Sequence, residues 1–274
     1  MPELPEVETV RRCLAAAVCG RRIVSCEVRH PDVVRNLEPA LLEEVLRNNR
    51  FTGFRRRGKY LLGDLESGHV LVVHLGMTGR LFVVETPCEL APHTHLIMEL
   101  EGGAELRFQD VRRFGGLYLL TGPLDHSIPG LAAMGPEPLD PGLTEEHWCR
   151  YLEGRRGNLK ARLLDQRLVA GIGNIYADEI LFACGISPQR DLASLNRVER
   201  IRLHRQMRRI LTEAIDDGGS SIRDYVDGRG QPGGFQNRHR VYGRKGQACT
   251  VCGRPLSGCR ISGRSTVFCE HCQR

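Results

Sequence analysis

The chain reads as an α+β protein of more than one domain: one helix, a run of short strands, a helical region, and a small cysteine-bearing hairpin. Three observations predict this. Between residues 23 and 120 the apolar positions fall in short, turn-bounded runs. Past a Pro/Gly-rich stretch they switch to helical spacing, and near the end four cysteines stand at metal-ligand spacing.

The first helix follows from Val7, Val10, Leu14 and Val18, which recur on one helical face, with Gly20 as its stop. Its start, "MPELPEVETV", suits a first turn, because Pro lacks the amide that would go unpaired there and Glu favours the positive end of the dipole. On that reading Glu8 only complements the dipole. The segments "YLLGDL", "HVLVVHL", "THLIMEL" and "AELRF" are strand-like, with Gly102-Gly103 as a hairpin turn, the pattern of an all-β sandwich or barrel. The stretch 120–142 is dense in Pro and Gly and marks a boundary. Beyond it helices are expected over 148–164, 175–183 and 198–215, with Asn174 as the cap of the second. A Gly-rich segment, 218–234, then leads into the hairpin. The expected boundaries are 1–130, 131–235 and 236–274.

Cys249-Thr-Val-Cys252 and Cys269-Glu-His-Cys272 are two C-x-x-C knuckles separated by sixteen residues. Two such knuckles joined by a hairpin complete a tetrahedral thiolate site for zinc, a zinc ribbon. Cys259 and His271 remain alternative ligands. Four protein ligands leave no open position for water, so this zinc is structural and any chemistry lies elsewhere. The other cysteines (Cys13, Cys19, Cys26, Cys88, Cys149 and Cys184) lack ligand spacing and are expected as small buried hydrophobes.

Charge is divided unevenly. The formal net charge is +6, yet residues 1–130 carry 16 basic against 17 acidic side chains, and 131–274 carry 23 against 16. From Gly228 onward nine basic residues face a single acid, Glu270. A basic segment that also holds a folded metal site points to nucleic-acid phosphates. No apolar run approaches the ~18 residues needed to cross a bilayer, and an N-terminus acidic from its third residue is no secretory signal. The expectation is a cytoplasmic protein with reduced thiols.

Two loops of the strand region suggest chemistry. The chain has three lysines, Lys59, Lys160 and Lys245, beside 36 arginines. Where Arg supplies the basic surface, Lys59 in "FRRRGKYLL" invites a reason, since an ammonium can exchange its proton and a guanidinium effectively cannot. In "FQDVRRFGG", Arg112 and Arg113 precede Phe114 and two glycines follow it, a pattern suited to an apolar wedge in a base stack flanked by cations.

Together "PELPEVE", "RRGKYLL", "HLGMTGRL", "DVRRFGG", "GIGNIYADEILF", "VYGRKGQ" and the terminal ribbon resemble the bacterial formamidopyrimidine-DNA glycosylase family, in its order and over essentially the full length. The resemblance implies an N-terminal β-sandwich with its helix, then a helix-two-turn-helix DNA-binding domain carrying the four-cysteine zinc ribbon. It implies a base-excision-repair glycosylase with abasic-site lyase activity toward oxidised purines. The implied partner is duplex DNA bearing an oxidised base or abasic site, met by a monomer. One structural zinc and no organic cofactor are expected.

The family's roles fall on this chain as follows. Pro2, freed of Met1, is the nucleophile; Glu3 is the general acid, with Glu6 in support. Lys59 contacts phosphate and moves protons, and Arg264 grips a phosphate and serves the second elimination. Met77, Arg112 and Phe114 fill the gap left by the flipped nucleotide. His93, Arg113, Arg155, Asn174 and Tyr242 match DNA contacts, and Arg223 and Tyr225 belong to the loop over the flipped base. The sister endonuclease VIII branch, which takes oxidised pyrimidines, usually has Gly where this chain has Leu4 and uses a different wedge. A non-enzymatic zinc-ribbon DNA binder has no use for Pro2, Glu3 and Lys59 together.

Overall fold

The structure, a computed structural model, describes residues 1–121, 128–222 and 224–274. Part of the Pro/Gly-rich boundary stretch, and the expected loop residue Arg223, lie outside the described residues. By contacts the chain forms two units, Met1–Ala132 with Asp217–Gly234 and Ala133–Asp216 with Phe235–Arg274. The Gly-rich segment thus groups with the N-terminal unit, and the ribbon groups with the helices.

The N-terminal unit starts with α1 (Leu4–Val18), whose Leu4, Val7, Val10, Leu14 and Val18 are all fully buried. Each such side chain contributes about 1.5–3 kcal/mol of burial, so one apolar face fixes the helix. Gly20, at φ +82°, ends it in the left-handed conformation. Two four-stranded antiparallel sheets follow. One has β1 (Ile23–Val28), β6 (Thr94–Leu100), β7 (Ala104–Asp110) and β5 (Gly79–Glu85) in that order. The other has β2 (Phe51–Arg57), β3 (Tyr60–Leu65), β4 (Val70–His74) and β8 (Gly116–Leu120). Their inner residues, among them Phe51, Leu61, Leu71, Leu81, Leu96, Leu106 and Phe108, form one core with the buried face of α1. A short helix α2 (Pro39–Leu46), not expected from sequence, covers β1 with Leu42 and Leu46. Helix α3 (Pro129–Ala132) closes the first segment of the unit.

The second unit is helical with the ribbon appended. The helix expected over 148–164 is two helices, α4 (Glu145–Tyr151) and α5 (Leu159–Leu164). Gly154 and Gly157 between them take φ of +72° and +107°, which breaks the helix. Each half has its own cap: Thr144 accepts from the His147 amide and Asn158 from the Ala161 amide. Helix α6 (Asn174–Cys184) is capped by Gly173, so Asn174 is its first helical residue and not the cap. Helix α7 (Arg197–Asp216) buries Leu203, Met207, Ile210, Leu211 and Ala214. Strands β9 (Ser257–Ile261) and β10 (Arg264–Phe268) form the ribbon hairpin.

The cysteine expectation needs correction in part. Cys26, Cys149 and Cys184 are buried, but Cys13 and Cys19 are half-buried and Cys88 is exposed. Burial pushes the thiols of Cys26 and Cys184 up to about 12, which suits inert packing residues.

Candidate functional site

The start of α1 is built from polar groups placed indoors. Pro2, Glu3 and Glu6 are buried, the two carboxylate residues at 2% and 1% exposure. One Glu6 oxygen accepts from the Glu3 backbone amide at 2.7 Å, and the other accepts from the Ser220 amide at 2.7 Å. The first bond satisfies an amide that a helix start leaves open. The second ties the N-terminus to the Gly-rich segment Asp217–Gly234. Gly219 has to be glycine there: its φ is +81°, and a Cβ would meet Glu6 Oε1 at 2.9 Å.

Tyr225 anchors the same segment. It is buried in the core, and its hydroxyl lies within hydrogen-bonding distance of the carbonyls of Glu6 (3.2 Å) and Gly218 (3.1 Å). Burial, then the Glu6 charge, push its phenol well up, so it remains a donor. The Gly-rich segment is therefore pinned at Ser220 and Tyr225.

Glu8 does more than complement the helix dipole. It pairs with Arg11 (2.8 Å), Arg12 (3.0 Å) and, across to β2, Arg56 (3.3 Å). Burial pushes its carboxyl up, but the three guanidiniums outweigh this and hold it below the usual range. Arg56 stands just before the Gly58-Lys59 turn, which joins β2 to β3 with Arg57 opposite Tyr60. Lys59 is buried at 8% exposure, an unusual place for a lysine on a tight turn. Its neighbour His74 on β4 is pushed down to about 4, by burial first and then by the Lys59 ammonium, against the pull of Asp110.

The wedge candidates come together through sheet topology. Strand β4 lies in one sheet and β5 in the other, so the turn carrying Met77 crosses between sheets. Strands β7 and β8 are joined by a second crossing in the opposite direction, which carries Arg112, Arg113 and Phe114. The flanks pair, His74 with Gly116 and Gly79 with Asp110, so the two turns lie side by side. They touch backbone to backbone: a Cβ on Gly76 would meet Gly115 N and Phe114 C at 2.5 Å. Met77 and Phe114 are exposed, at 37% and 56%, and the Arg112 guanidinium lies 4.8 Å from the centre of the Phe114 ring.

Asp110, at 0% exposure, holds both turns. Its Oδ1 accepts from the Thr78 hydroxyl (2.5 Å) and the Arg112 amide (3.3 Å), and its Oδ2 from the Gly115 amide (2.7 Å). From the other side Arg35 donates to the carbonyls of Arg113 (3.0 Å) and Gly115 (2.6 Å). Arg113, at φ +54°, turns its side chain to the His30 ring and to Asp32 (3.5 Å). His93, at φ +63°, is exposed, and its carbonyl accepts from the Asp110 amide.

The second unit presents a different set. The β9–β10 turn has Ser262 at φ +48° and Gly263 at φ +73°, the type I′ pattern that matches hairpin twist, and Arg264 follows it exposed. Asn174 donates to the Ser265 carbonyl (3.0 Å). Beneath them Lys160, 0% exposed, pairs with Asp178 (2.7 Å) and donates to the Ser265 carbonyl (2.9 Å) and the Thr266 hydroxyl (2.8 Å). Asp178 also accepts from the Val267 amide (3.1 Å), and burial pushes its carboxyl up to about 6 against the Lys160 charge. Glu179 accepts the amides of Arg240, Val241 and Tyr242, fixing the chain where Tyr242 stands. Arg155 lies 4.1 Å over the Tyr151 ring.

The cysteine knuckles converge as expected. The Sγ atoms of Cys249, Cys252, Cys269 and Cys272 all lie within 4.8 Å of one another, with 3.9 Å between Cys249 and Cys272 and 3.5 Å between Cys252 and Cys269. Zn–S bonds of about 2.3 Å at tetrahedral angles place sulfurs ~3.8 Å apart, so the four thiolates fit a structural zinc. Among the described residues no other such group is found, and Cys259 faces Gln189 at 3.7 Å instead. Gly253, at φ +73°, supplies the left-handed turn after the first knuckle. Sequence reasoning missed Asp110, Asp178 and Glu179, whose pattern is that of ordinary surface acids. For Lys160 a signal existed, since the scarcity of lysine singles it out as much as Lys59.

Comparison with known proteins gives a consistent picture. Residues 1–117 match the formamidopyrimidine-DNA glycosylase N-terminal domain, 134–226 the formamidopyrimidine-DNA glycosylase H2TH domain, and 246–274 the zinc finger found in FPG and IleRS. A formamidopyrimidine-DNA glycosylase of Moorella thermoacetica is 52% identical over 260 residues, covering 95% of each chain. The crystal structure of the MutM (Fpg) protein of Thermus thermophilus superposes with a TM-score of 0.88 at 45% identity, covering 99% of this chain and 98% of that one. A Lactococcus lactis Fpg point mutant in complex with Fapy-dG-containing DNA gives 0.91 at 36% identity with full coverage of both. The chain belongs to the formamidopyrimidine-DNA glycosylase family.

Proposed function

We propose that the protein is a base-excision DNA glycosylase with abasic-site lyase activity, acting in the cytoplasm on duplex DNA that carries an oxidised purine such as 8-oxoguanine or a formamidopyrimidine. The observation that carries this reading is the start of α1. Pro2 and Glu3 are buried there, in a helix turn that Glu6 locks in place, within a full-length match to the family.

The chemistry follows from an amine nucleophile. With Met1 removed, Pro2 carries a terminal amine, whose pKa of about 8 leaves a useful fraction unprotonated near neutral pH. With Met1 attached, the same nitrogen is an amide without basicity. The amine attacks the sugar C1′ as the bond to the base breaks and the base leaves with a proton. The nitrogen then loses its proton, the C1′–O4′ bond breaks with O4′ taking up a proton, and the opened sugar is left as a covalent iminium. Glu3 moves protons on the opened deoxyribose. The iminium acidifies the C2′ hydrogens, so loss of a proton expels the 3′ phosphate and a further elimination expels the 5′ phosphate. Lys59 and Arg264 bind phosphates and transfer protons in these steps. The zinc is structural: held by the four cysteines, it fixes the hairpin that bears Arg264.

Extrusion of a base costs a few kcal/mol of stacking, and Met77, Arg112 and Phe114 fill the vacated space. His93, Arg113, Arg155, Asn174 and Tyr242 supply sugar–phosphate contacts, and the segment that contains Arg223, anchored by Tyr225, covers the flipped nucleotide. The test is borohydride trapping on a duplex with 8-oxoguanine opposite cytosine. Processed protein is expected to give a covalent protein–DNA adduct, and protein that keeps Met1 is expected to give none. An adduct formed equally by the blocked protein overturns the assignment of Pro2. Faster trapping on an oxidised pyrimidine than on 8-oxoguanine moves the protein to the endonuclease VIII type.

A further inference from the structure

We propose that Asp110 is the positioning residue of the wedge: its buried carboxylate locks the Met77 turn to the Arg112–Phe114 turn and so sets how readily the enzyme holds a duplex open. This rests on the reading of Met77, Arg112 and Phe114 as the group that fills the vacated stack.

The geometry is specific to that task. One carboxylate reaches both turns, through the Thr78 hydroxyl beside Met77 and through the amides of Arg112 and Gly115 on either side of Phe114. The Thr78 oxygen is itself shared, since it also accepts from the Arg112 amide at 3.1 Å. Thr78 and Asp110 therefore form a small closed network in which every bond joins the two turns or spans the wedge residues. The Asp110 backbone is fixed as well: its amide donates to the His93 carbonyl, and its carbonyl accepts from the His95 ring (2.8 Å) and the Arg113 amide (3.3 Å). Yet the side chains it serves point outward and are exposed. A wedge that must insert into a base stack gains from being rigid before it arrives, because ordering then need not occur in the complex. Three charge-assisted bonds to one buried carboxylate supply that rigidity.

Two rates separate this role from general damage. Excision of 8-oxoguanine from a paired duplex requires extrusion of a base, whereas lyase cleavage of a preformed abasic site does not. The ratio of the two rates is measured for Asp110→Asn, Thr78→Val and Thr78→Ser, with Phe114→Ala setting the scale. Fluorescence of 2-aminopurine next to the lesion reports unstacking directly. Asp110→Asn is expected to lower the excision-to-lyase ratio at least about tenfold and to slow the fluorescence rise by a similar factor. Thr78→Val is expected to lower the ratio about threefold to tenfold and Thr78→Ser to restore it, since only the hydroxyl matters.

Equal loss of both rates in Asp110→Asn and Thr78→Val, or no loss in either, overturns the proposal. If Asp110→Asn fails to fold, Thr78→Val against Thr78→Ser decides alone. If Phe114→Ala itself leaves the ratio unchanged, the wedge reading falls, a result distinct from failure of the Asp110 variants beside a defective Phe114→Ala.

Discussion

The two units hold their candidate side chains in position on unequal supports. In the N-terminal unit a large apolar core supports the start of α1 and the two crossings, and one buried acid fixes each, Glu6 at the first and Asp110 under the second. In the second unit the ribbon has a small core, chiefly Phe182, Val241, Leu256 and Val267 beside the cysteines, and leans on a metal set and a buried ion pair. A core of many side chains tolerates the loss of one interaction. A hairpin of two five-residue strands does not, so its polar anchors carry proportionally more of its stability.

The largest test of this contrast is removal of zinc. A structural zinc site contributes on the order of 10 kcal/mol of folding free energy, so chelation is expected to unfold the ribbon and abolish DNA binding. The β-sandwich is expected to keep its far-UV signature and its amide protection from hydrogen exchange. Loss of protection in β2–β8 on chelation breaks the contrast.

The next test is the buried pair. Lys160→Met leaves the buried Asp178 without its cation, and is expected to cost about 3–5 kcal/mol in denaturant unfolding. Replacing both, Lys160→Met with Asp178→Leu, is expected to recover most of that loss. The recovery separates a buried-charge penalty from simple loss of packing.

The smallest expected effect lies in the N-terminal unit. His74 has a folded pKa of about 4, depressed from the usual 6.5 by burial and by Lys59. The unfolded chain therefore binds the proton first. Stability from this group is fully present above pH 6.5 and is lost as pH falls toward 4, amounting to about 2 kcal/mol between about pH 7 and pH 5. His74→Gln is expected to flatten that part of the stability profile. An unchanged slope in the variant removes His74 as its source.

How much of this was legible in the sequence differs by residue and for physical reasons. Period gave α1, the strand runs and α7, because burial of one face repeats along the chain. The four cysteines were legible because ligand geometry demands fixed spacing. The break between α4 and α5 was missed although Gly154, Gly157 and Asn158 state it, since the apolar spacing runs through them. Asp110, Asp178 and Glu179 were illegible because each is defined by partners beyond its own element: Asp178 by Lys160 and Val267, Glu179 by the amides of 240–242. In the sequence Glu8 looks like a purely local charge for the same reason, its distant partner being Arg56. Pro2 and Glu3 are legible only through resemblance, Lys59 also through the scarcity of lysine, and the burial of all three is a fact that only the fold supplies.

The backbone contact between Gly76 and Phe114-Gly115 bears on how such an enzyme can diverge. Two turns pressed together without side chains between them have no room for an inserted residue, and neither can lengthen without prising off the other. On this scaffold the side chains at Met77, Arg112 and Phe114 can be exchanged more readily than the length of either turn can change. An alignment of descendants should show variable letters at those positions and no gaps.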